Sequence, residues 1–410
     1  MNKLLCALIV VIVISSCKDS SKESDNKKSQ SALAETSNLK ELESPADTAS
    51  AEPYLFTDKN GLVYLSWIEK TKGKSILKIS TLNNELWSEP MVISSGDNWF
   101  VNWADYPLVA ADGAKNMIAH YLEKSEKGTY TYDVKIVTSA DQGKTWSSSK
   151  ILHDDGKIAE HGFVSMIPYG ENYFISWLDG RNSVMEGNGG HSEGHHGQMT
   201  IRGAIVDKQG KKSSEWELDN RVCDCCQTSA AITANGPVVV YRDRSEEEIR
   251  DISIVRFVNG QWTAPKPIFT DSWKIAGCPV NGPRIDAMGN SVAVAWFTSP
   301  EKNAQVNIVF SNDGGATFNS PLRIDEGKGI GRVDVVMLDE NTAIVSWMEG
   351  SVIKAVKAYN NGKKESSFTV AASAESRSSG FPQMTKAGNN IIFAWTDDKE
   401  KTIKVANLVL

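Results

Sequence analysis

The 410-residue sequence predicts an all-β fold made of repeated four-stranded antiparallel sheets. Three observations support this: a repeat of about fifty residues, turn residues at regular positions, and two columns of aromatic residues. The first column ends a short apolar strand in each repeat, and its members are Trp67, Tyr121, Trp177, Tyr241, Trp296, Trp347 and Trp395. Such a period is typical of sheets that need neighbours to bury both faces. The sequence therefore predicts a β-propeller of seven four-stranded blades, with six blades as the alternative.

Each repeat opens with a hairpin whose turn contains Gly, Asn or Asp, as expected for tight turns between antiparallel strands. A third strand alternates apolar and polar residues. The second aromatic column then marks the start of the fourth strand, with Trp87, Trp146, Trp216, Trp262, Phe318 and Phe368. The last repeat reaches Leu410 before a fourth strand can form. We therefore expect residues 39–51 to supply that strand and close the ring, because closure removes exposed sheet edges.

The N-terminus resembles the signal peptide of a bacterial lipoprotein. Lys3 precedes an apolar run at 4–14, which is too short to span a membrane as a helix. The sequence Ile14-Ser15-Ser16-Cys17 resembles a lipobox, which predicts removal of residues 1–16 and lipidation of Cys17. An ordinary secretory signal is the alternative.

Residues 17–50 are rich in Ser, Lys, Glu and Asp and predict a disordered tether, which leaves residues 51–410 for the propeller domain. We expect the domain to lie in the bacterial cell envelope, attached to a membrane through the N-terminal lipid and facing the periplasm or the cell exterior. The net charge of −7 and the lack of a basic run exclude nucleic acid as a partner. We expect a monomer.

Two segments, 139–146 and 311–318, share the pattern Ser-x-Asp-x-Gly-x-Thr-aromatic. Their matching residues are Ser139, Asp141, Gly143, Thr145, Trp146, Ser311, Asp313, Gly315, Thr317 and Phe318. Asp and Gly suit a tight turn whose side chain bonds its own backbone, with the aromatic ring packed beneath. The pattern resembles the Asp-box, or BNR repeat, of sialidase-like propellers, and the resemblance covers about 53–410. Because the motif is structural, it indicates a fold and not a reaction.

Antiparallel strand order places the links between blades, and the loops between second and third strands, on one side of the ring. We call this side the loop-rich face, and it contains residues 94–107, 153–162, 179–199, 219–228, 242–251 and 270–283. Functional loops carried by a rigid frame are expected to collect in this way.

Candidate ligand-binding residues on this face are aromatic, acidic or basic: Trp103, Asp105, His161, Asp179, Arg181, Arg242, Asp243, Arg244, Trp273 and Arg284. Trp99, Trp103 and Trp273 could form an aromatic platform for a sugar ring or a cation. The planar guanidinium of arginine suits a carboxylate ligand, and salt bridges between blades are the alternative.

Four cysteines remain after removal of the signal and lipidation of Cys17: Cys223, Cys225, Cys226 and Cys278. In an oxidising compartment they predict two disulfides, with a thiolate metal site or free thiols as alternatives. Pairing Cys223 with Cys226 and Cys225 with Cys278 is one of three possible connectivities.

A Gly-rich insertion in the third repeat contains His191, His195 and His196. It predicts either a mobile loop or a site for a divalent metal, which is the one cofactor that the sequence raises.

The resemblance to sialidases implies an exo-acting glycosidase. In that family an arginine cluster binds the substrate carboxylate, a tyrosine backed by a glutamate attacks, and an aspartate acts as acid. Residues 52–56, Glu-Pro-Tyr-Leu-Phe, lack the arginine of the family's Phe/Tyr-Arg-Ile-Pro motif, and the family has six blades. We therefore predict a membrane-anchored propeller that binds a glycan or a carboxylated ligand, with its catalytic residues unassigned. An exo-sialidase and a metal-handling protein are the alternatives.

Overall fold

A computed structural model describes residues 38–183 and 197–410 of the chain. These residues form thirty β-strands and two short 3₁₀ turns, at Pro300–Lys302 and Arg377–Ser379. Within the two described ranges, no helix has the length and apolar character needed to cross a membrane. The predictions for Cys17, His191, His195 and His196 lie outside the described residues.

The strands follow one another along the whole of the described chain. In order they are β1 (Leu39–Leu42), β2 (Ser50–Thr57), β3 (Val63–Thr71), β4 (Lys74–Asn83), β5 (Leu86–Trp87), β6 (Met91–Gly96), β7 (Val109–Ala111), β8 (Met117–Lys124), β9 (Tyr132–Ser139), β10 (Lys150–Ile151), β11 (His161–Tyr169), β12 (Asn172–Asp179), β13 (Thr200–Val206), β14 (Lys212–Asp219), β15 (Ser229–Thr233), β16 (Gly236–Arg242), β17 (Ile252–Val258), β18 (Gln261–Trp262), β19 (Lys266–Pro267), β20 (Arg284–Met288), β21 (Ser291–Thr298), β22 (Gln305–Ser311), β23 (Leu322–Arg323), β24 (Gly329–Asp339), β25 (Thr342–Glu349), β26 (Val352–Tyr359), β27 (Phe368–Ala372), β28 (Gln383–Ala387), β29 (Asn390–Asp397) and β30 (Thr402–Val409).

Seven antiparallel sheets form the seven predicted blades. Blade one runs from β2 to β5, blade two from β7 to β10, blade three from β11 to β14, blade four from β15 to β18, blade five from β20 to β23 and blade six from β24 to β27. Blades one and four each carry an extra short strand, β6 on β4 and β19 on β17. The seventh blade contains β28, β29 and β30 and takes its fourth strand from β1.

The ring closes through the N-terminal strand, as the sequence predicts. Leu39 lies opposite Leu408 and Leu42 opposite Val405 in the antiparallel pairing of β1 with β30. The closing strand comes from within the range 17–50 that we assigned to a tether, so the folded part of the chain extends upstream of residue 51. With β1 in place, β30 is paired on both sides and the seventh blade has four strands.

The first aromatic column lies in the core, and four of its tryptophans are completely buried: Trp67, Trp177, Trp296 and Trp347. The indole of Trp177 donates to Asp179 Oδ2 at 2.8 Å, and that of Trp347 donates to Glu349 Oε2 at 2.6 Å. A buried indole N–H needs an acceptor, which explains the acidic residue two positions after the aromatic in these blades.

Both Asp-boxes form the predicted turn. In the second box the Ser311 hydroxyl donates to Asp313 Oδ1 at 2.7 Å, and the Thr317 hydroxyl donates to Asp313 Oδ2 at 2.6 Å. Gly315 has a φ of +82°, which favours glycine. The first box has the same hydrogen bonds around Asp141. The two boxes therefore stabilise turns and contribute no free side chain to a site.

Candidate functional site

Loops from several blades meet at the loop-rich face, over the channel formed by the inner strands. The Gln227 side chain ties three of them together: its Nε2 donates to the carbonyl of Ala104 at 2.6 Å, and its Oε1 accepts the Gly282 N–H at 2.9 Å. The Val222 N–H donates to the Met199 carbonyl at 2.9 Å. The unusual loops of blades two to five therefore surround one mouth, although they are distant in sequence.

Arg242 is buried among these loops. It is 1% exposed, and its guanidinium donates to the carbonyls of Arg250, Asn281 and Phe297 at 2.7, 2.8 and 2.6 Å. Since these acceptors belong to three different segments, Arg242 anchors the loops. The Arg242 guanidinium is thus engaged by carbonyls of the protein, and its role as a ligand-binding group stays a prediction.

Arg181 is also engaged by groups of the protein itself. It makes a two-pronged contact with Asp179, with Nε 2.8 Å from Oδ1 and Nη2 2.7 Å from Oδ2, and Nη2 lies 3.2 Å from Glu215 Oε1. Asp179 is completely buried and also accepts the indole of Trp177. Arg181 and Asp179 therefore form a salt bridge within blade three, and not the bridge between blades that was the alternative.

The other two predicted arginines have partners as well. Arg244 pairs with Glu248, with Nη2 2.8 Å from Oε1. Arg284 donates to the hydroxyl of Tyr106 and to Gln383 Oε1. The four arginines thus do not form an open cluster that could grip a carboxylate.

The three loop tryptophans do not share a platform. Trp99 stacks on Tyr121, with ring centroids 4.2 Å apart, and Trp103 stacks on Phe381 at 5.5 Å. Trp273 is 6% exposed and packs under the guanidinium of Arg242. Each ring therefore packs against a different local partner, and ligand binding by Trp103 or Trp273 stays a prediction.

His161 lies in a buried pair of histidines at the start of blade three. Its ring stacks on that of His153 with centroids 3.5 Å apart, and Asp155 contacts both rings, His153 Nδ1 at 2.8 Å and His161 Nε2 at 3.0 Å. Burial raises the pKa of Asp155, but the hydrogen bonds and charges of the two histidines outweigh it and hold that pKa well below its usual range. Asp243 differs, because burial raises its pKa to about 6.

A tyrosine and two carboxyl groups meet between blades two and three. The Tyr132 hydroxyl donates to Glu160 Oε1 at 2.7 Å, and Asp105 Oδ1 accepts the Phe163 N–H at 2.8 Å. We call Asp105, Tyr132 and Glu160 the acid cluster. Burial raises the pKa of Asp105 to about 7 and that of Glu160 to about 8. Both carboxyl groups therefore exchange protons near neutral pH.

Access to the acid cluster is through Glu160. Tyr132 is 1% exposed and Asp105 3%, and Phe100 stacks on Tyr132 with centroids 4.0 Å apart. Glu160 is only partly buried. Nearby in sequence, the Tyr130 side chain is 58% exposed and presents a free ring.

The sequence interpretation missed Tyr132 and Glu160. They are separated by 28 positions and pair across a blade boundary, so no spacing rule connects them. The one available signal was the position of Glu160 directly before β11, at the entrance to a blade on the loop-rich face.

No disulfide joins Cys223, Cys225, Cys226 and Cys278, so the disulfide prediction is not confirmed. The Cys223 sulfur lies 3.8 Å from that of Cys225 and 3.6 Å from that of Cys226. Cys223 and Cys226 are buried, and Cys278 is exposed.

Below the loops, the channel contains a cavity of about 110 Å³ lined by residues that include Tyr54, Arg284, Asp334 and Gln383. Ligand sites for small molecules usually measure about 300 Å³ or more. This cavity suits a few water molecules and is smaller than the usual site for a sugar.

The fold is similar to that of a solved polysaccharide lyase. No family model matches the sequence, and no curated protein matches it. Polysaccharide lyase Uly1 is 8% identical and aligns over 88% of this chain and 90% of its own, with a TM-score of 0.55. The NanB sialidase from Streptococcus pneumoniae is 12% identical over 90% of this chain and 69% of its own, with a TM-score of 0.44.

The Hadza microbial sialidase Hz136 is 14% identical over 73% of this chain, with a TM-score of 0.41, and this chain spans 63% of its length. At these identities the likeness shows the fold alone. The chain thus has a β-propeller fold of seven blades, similar to that of polysaccharide lyase Uly1.

Proposed function

We propose that this chain is a lipid-anchored, cell-envelope propeller that acts on glycans at its loop-rich face. The observation that carries the proposal is the acid cluster, in which Tyr132 donates to Glu160 at 2.7 Å close to the buried Asp105. The sequence-based anchor supports the location: residues 1–16 have the form of a lipoprotein signal and Cys17 follows its lipobox.

The acid cluster suits proton transfer to or from a glycan oxygen. General acids work best when their pKa lies near the ambient pH, because they then hold a proton and release it readily. Asp105 and Glu160 meet this condition through burial. Glu160 is the member that reaches the surface, so it is assigned the contact with substrate, and Tyr132 holds its carboxyl group in place.

Recognition of the sugar falls to an exposed ring and not to arginines. Tyr130, at 58% exposure, offers a face on which a pyranose ring can stack. The four predicted arginines bond to other groups of the chain: Arg181, Arg242, Arg244 and Arg284. They therefore do not form the arginine cluster with which an exo-sialidase binds its substrate carboxylate. We therefore favour a glycan bound mainly through stacking and hydroxyl contacts.

The test is turnover of a glycan panel that contains neutral oligosaccharides, uronate-containing polysaccharides and a fluorogenic sialoside. New reducing ends, or fluorophore release, report cleavage. Glu160→Gln should reduce turnover by about 10²- to 10⁴-fold, the usual contribution of a general acid or base. Glu246→Gln is the matched control, because Glu246 lies in a loop of the same face with its side chain 84% exposed.

Full activity of Glu160→Gln, or cleavage restricted to the sialoside, would contradict the proposal. The first result would remove the acid cluster from the reaction. The second would require a binding site for the sialoside carboxylate, which the four arginines do not provide.

A further inference from the structure

Four cysteines from two neighbouring blades come together at the loop-rich face. Cys223, Cys225 and Cys226 lie in the loop that enters blade four, and their three sulfur atoms are within 4.8 Å of one another. Cys278 lies in the loop that enters blade five. Its sulfur, that of Cys225 and a carboxylate oxygen of Asp224 form a second such group. Cys225 belongs to both groups and so connects all four sulfurs.

The separations among the three sulfurs of the blade-four loop fit ligands arranged around a metal ion. The Cys278 sulfur lies within 4.8 Å of the Cys225 sulfur but outside the group formed by the other three. A disulfide requires a separation of about 2.05 Å. Four sulfurs at about 2.3 Å from a tetrahedral ion lie about 3.8 Å from one another. The observed separations of 3.8 and 3.6 Å from Cys223 to Cys225 and Cys226 match the second arrangement.

Both cysteine loops are held in place by contacts that involve no sulfur. The Cys223 N–H donates to the Arg242 carbonyl at 3.0 Å, and the Gly282 N–H donates to Gln227. A Cβ on Gly282 would lie 2.1 Å from the Gln227 carbonyl oxygen, so the loop of Cys278 packs directly against the loop of Cys226. The fold therefore positions the four cysteine sulfurs, which we call the sulfur set, before a ligand binds. This lowers the entropic cost of binding.

A buried cation lies beside the sulfur set. Arg250 is 3% exposed, and its Nη1 donates to the Cys223 sulfur at 3.0 Å while its Nη2 donates to Glu248 at 2.8 Å. A guanidinium next to a cysteine stabilises the thiolate, which is the form that binds metals. Groups that orient and charge-balance ligands from outside in this way are typical of metal centres.

We propose that Cys223, Cys225, Cys226 and Cys278 bind one thiophilic d¹⁰ metal ion, Zn²⁺ or Cu(I), at the loop-rich face. Soft thiolate ligands favour these ions. On binding, each thiol exchanges its S–H bond for a sulfur–metal bond and releases its proton to solvent, with no electron transfer. This site is distinct from the acid cluster and stands whether or not the protein acts on glycans.

The experiment uses the full chain, without an affinity tag of histidines and with His191, His195 and His196 replaced by alanine, because imidazoles also bind these metals. Titration of the reduced protein with Co²⁺ should saturate at one ion per chain and produce sulfur-to-cobalt charge-transfer absorption. Displacement of cobalt by Zn²⁺ or by Cu(I) then ranks the two ions. Absence of the charge-transfer absorption would overturn the proposal.

Two variants test the ligand set. Cys278→Ser should weaken cobalt binding by at least about tenfold, comparable to or larger than the loss of an outer-shell group. Asp224→Asn is the control, since it retains all four sulfurs and should retain the charge-transfer band. Loss of the band in Asp224→Asn together with full binding by Cys278→Ser would exclude the four-sulfur set.

Peptide mapping of the unsubstituted protein gives a result that does not depend on the folding of any variant. Alkylation of the native, reduced protein should label the four cysteines, and bound Zn²⁺ should protect them. Two disulfides in the protein as isolated, with metal unable to bind after reduction, would show that the sulfurs serve as cross-links.

Discussion

Replacing Arg242 with alanine should strongly destabilise the propeller, because the guanidinium satisfies carbonyl groups from three segments. The side chain is 1% exposed and bonds to the carbonyls of Arg250, Asn281 and Phe297. A buried polar group left without its partner costs about 1–3 kcal/mol. Loss of the contact with the Trp273 ring, 4.9 Å from the guanidinium carbon, adds about 0.5–2 kcal/mol. Allowing for water that enters the space, we expect the free energy of unfolding to fall by about 3–6 kcal/mol.

Urea unfolding followed by tryptophan fluorescence measures this loss. Arg244→Ala is the matched control, because Arg244 lies in the same loop with 22% of its side chain exposed and pairs with Glu248. Ion pairs near the surface contribute about 0–1 kcal/mol, so loss of this half-buried pair should shift the midpoint much less than loss of Arg242. Equal stabilities of Arg242→Ala and Arg244→Ala would refute the assignment of Arg242 as an anchor and favour its role as a ligand-binding group.

Two further predictions concern buried polar groups. The pKa of Asp105 is raised from 3.8 to about 7, so the unfolded chain loses this proton first and stability falls as the pH rises between these values. In the wild type this lowers the free energy of unfolding by an amount on the order of 4 kcal/mol between about pH 4 and pH 8, and Asp105→Asn should remove that decrease. Urea unfolding at the two pH values measures it, and an unchanged pH dependence would count against the prediction. Trp347→Phe should lower the free energy of unfolding by about 2–3 kcal/mol, because it removes the indole N–H that donates to Glu349. Thermal melts measure the difference. Trp67→Phe should lower the free energy of unfolding by less, since the buried Trp67 indole has no acceptor within residues 38–183 and 197–410. The reverse order would contradict the reasoning.

The sequence predicts the propeller well because the signals for it are local. Strand period, turn residues and the buried column that includes Trp177 and Trp347 all follow from the need of each sheet to bury two faces. The closing strand at Leu39–Leu42 follows from the same repeat, since a seventh blade of three strands would leave β30 unpaired on its outer side.

The candidate site is harder to predict because its side chains find partners across blade boundaries. An arginine at the end of a strand has the same sequence context whether it binds a carboxylate or a carbonyl. The acceptors of Arg242 include Asn281 and Phe297, which are 39 and 55 positions away. Tyr132 and Glu160 pair in the same way, and the separations between the cysteine sulfurs depend on the loop contact between Gln227 and Gly282.

We place the chemistry of this protein at the loop-rich face, and a crystal structure with a bound oligosaccharide is the decisive test. We expect a sugar ring stacked on Tyr130 with a glycan oxygen within hydrogen-bond distance of Glu160. A sugar bound on the opposite side of the ring, beside the Asp-box turns at Gly143 or Gly315, would contradict it.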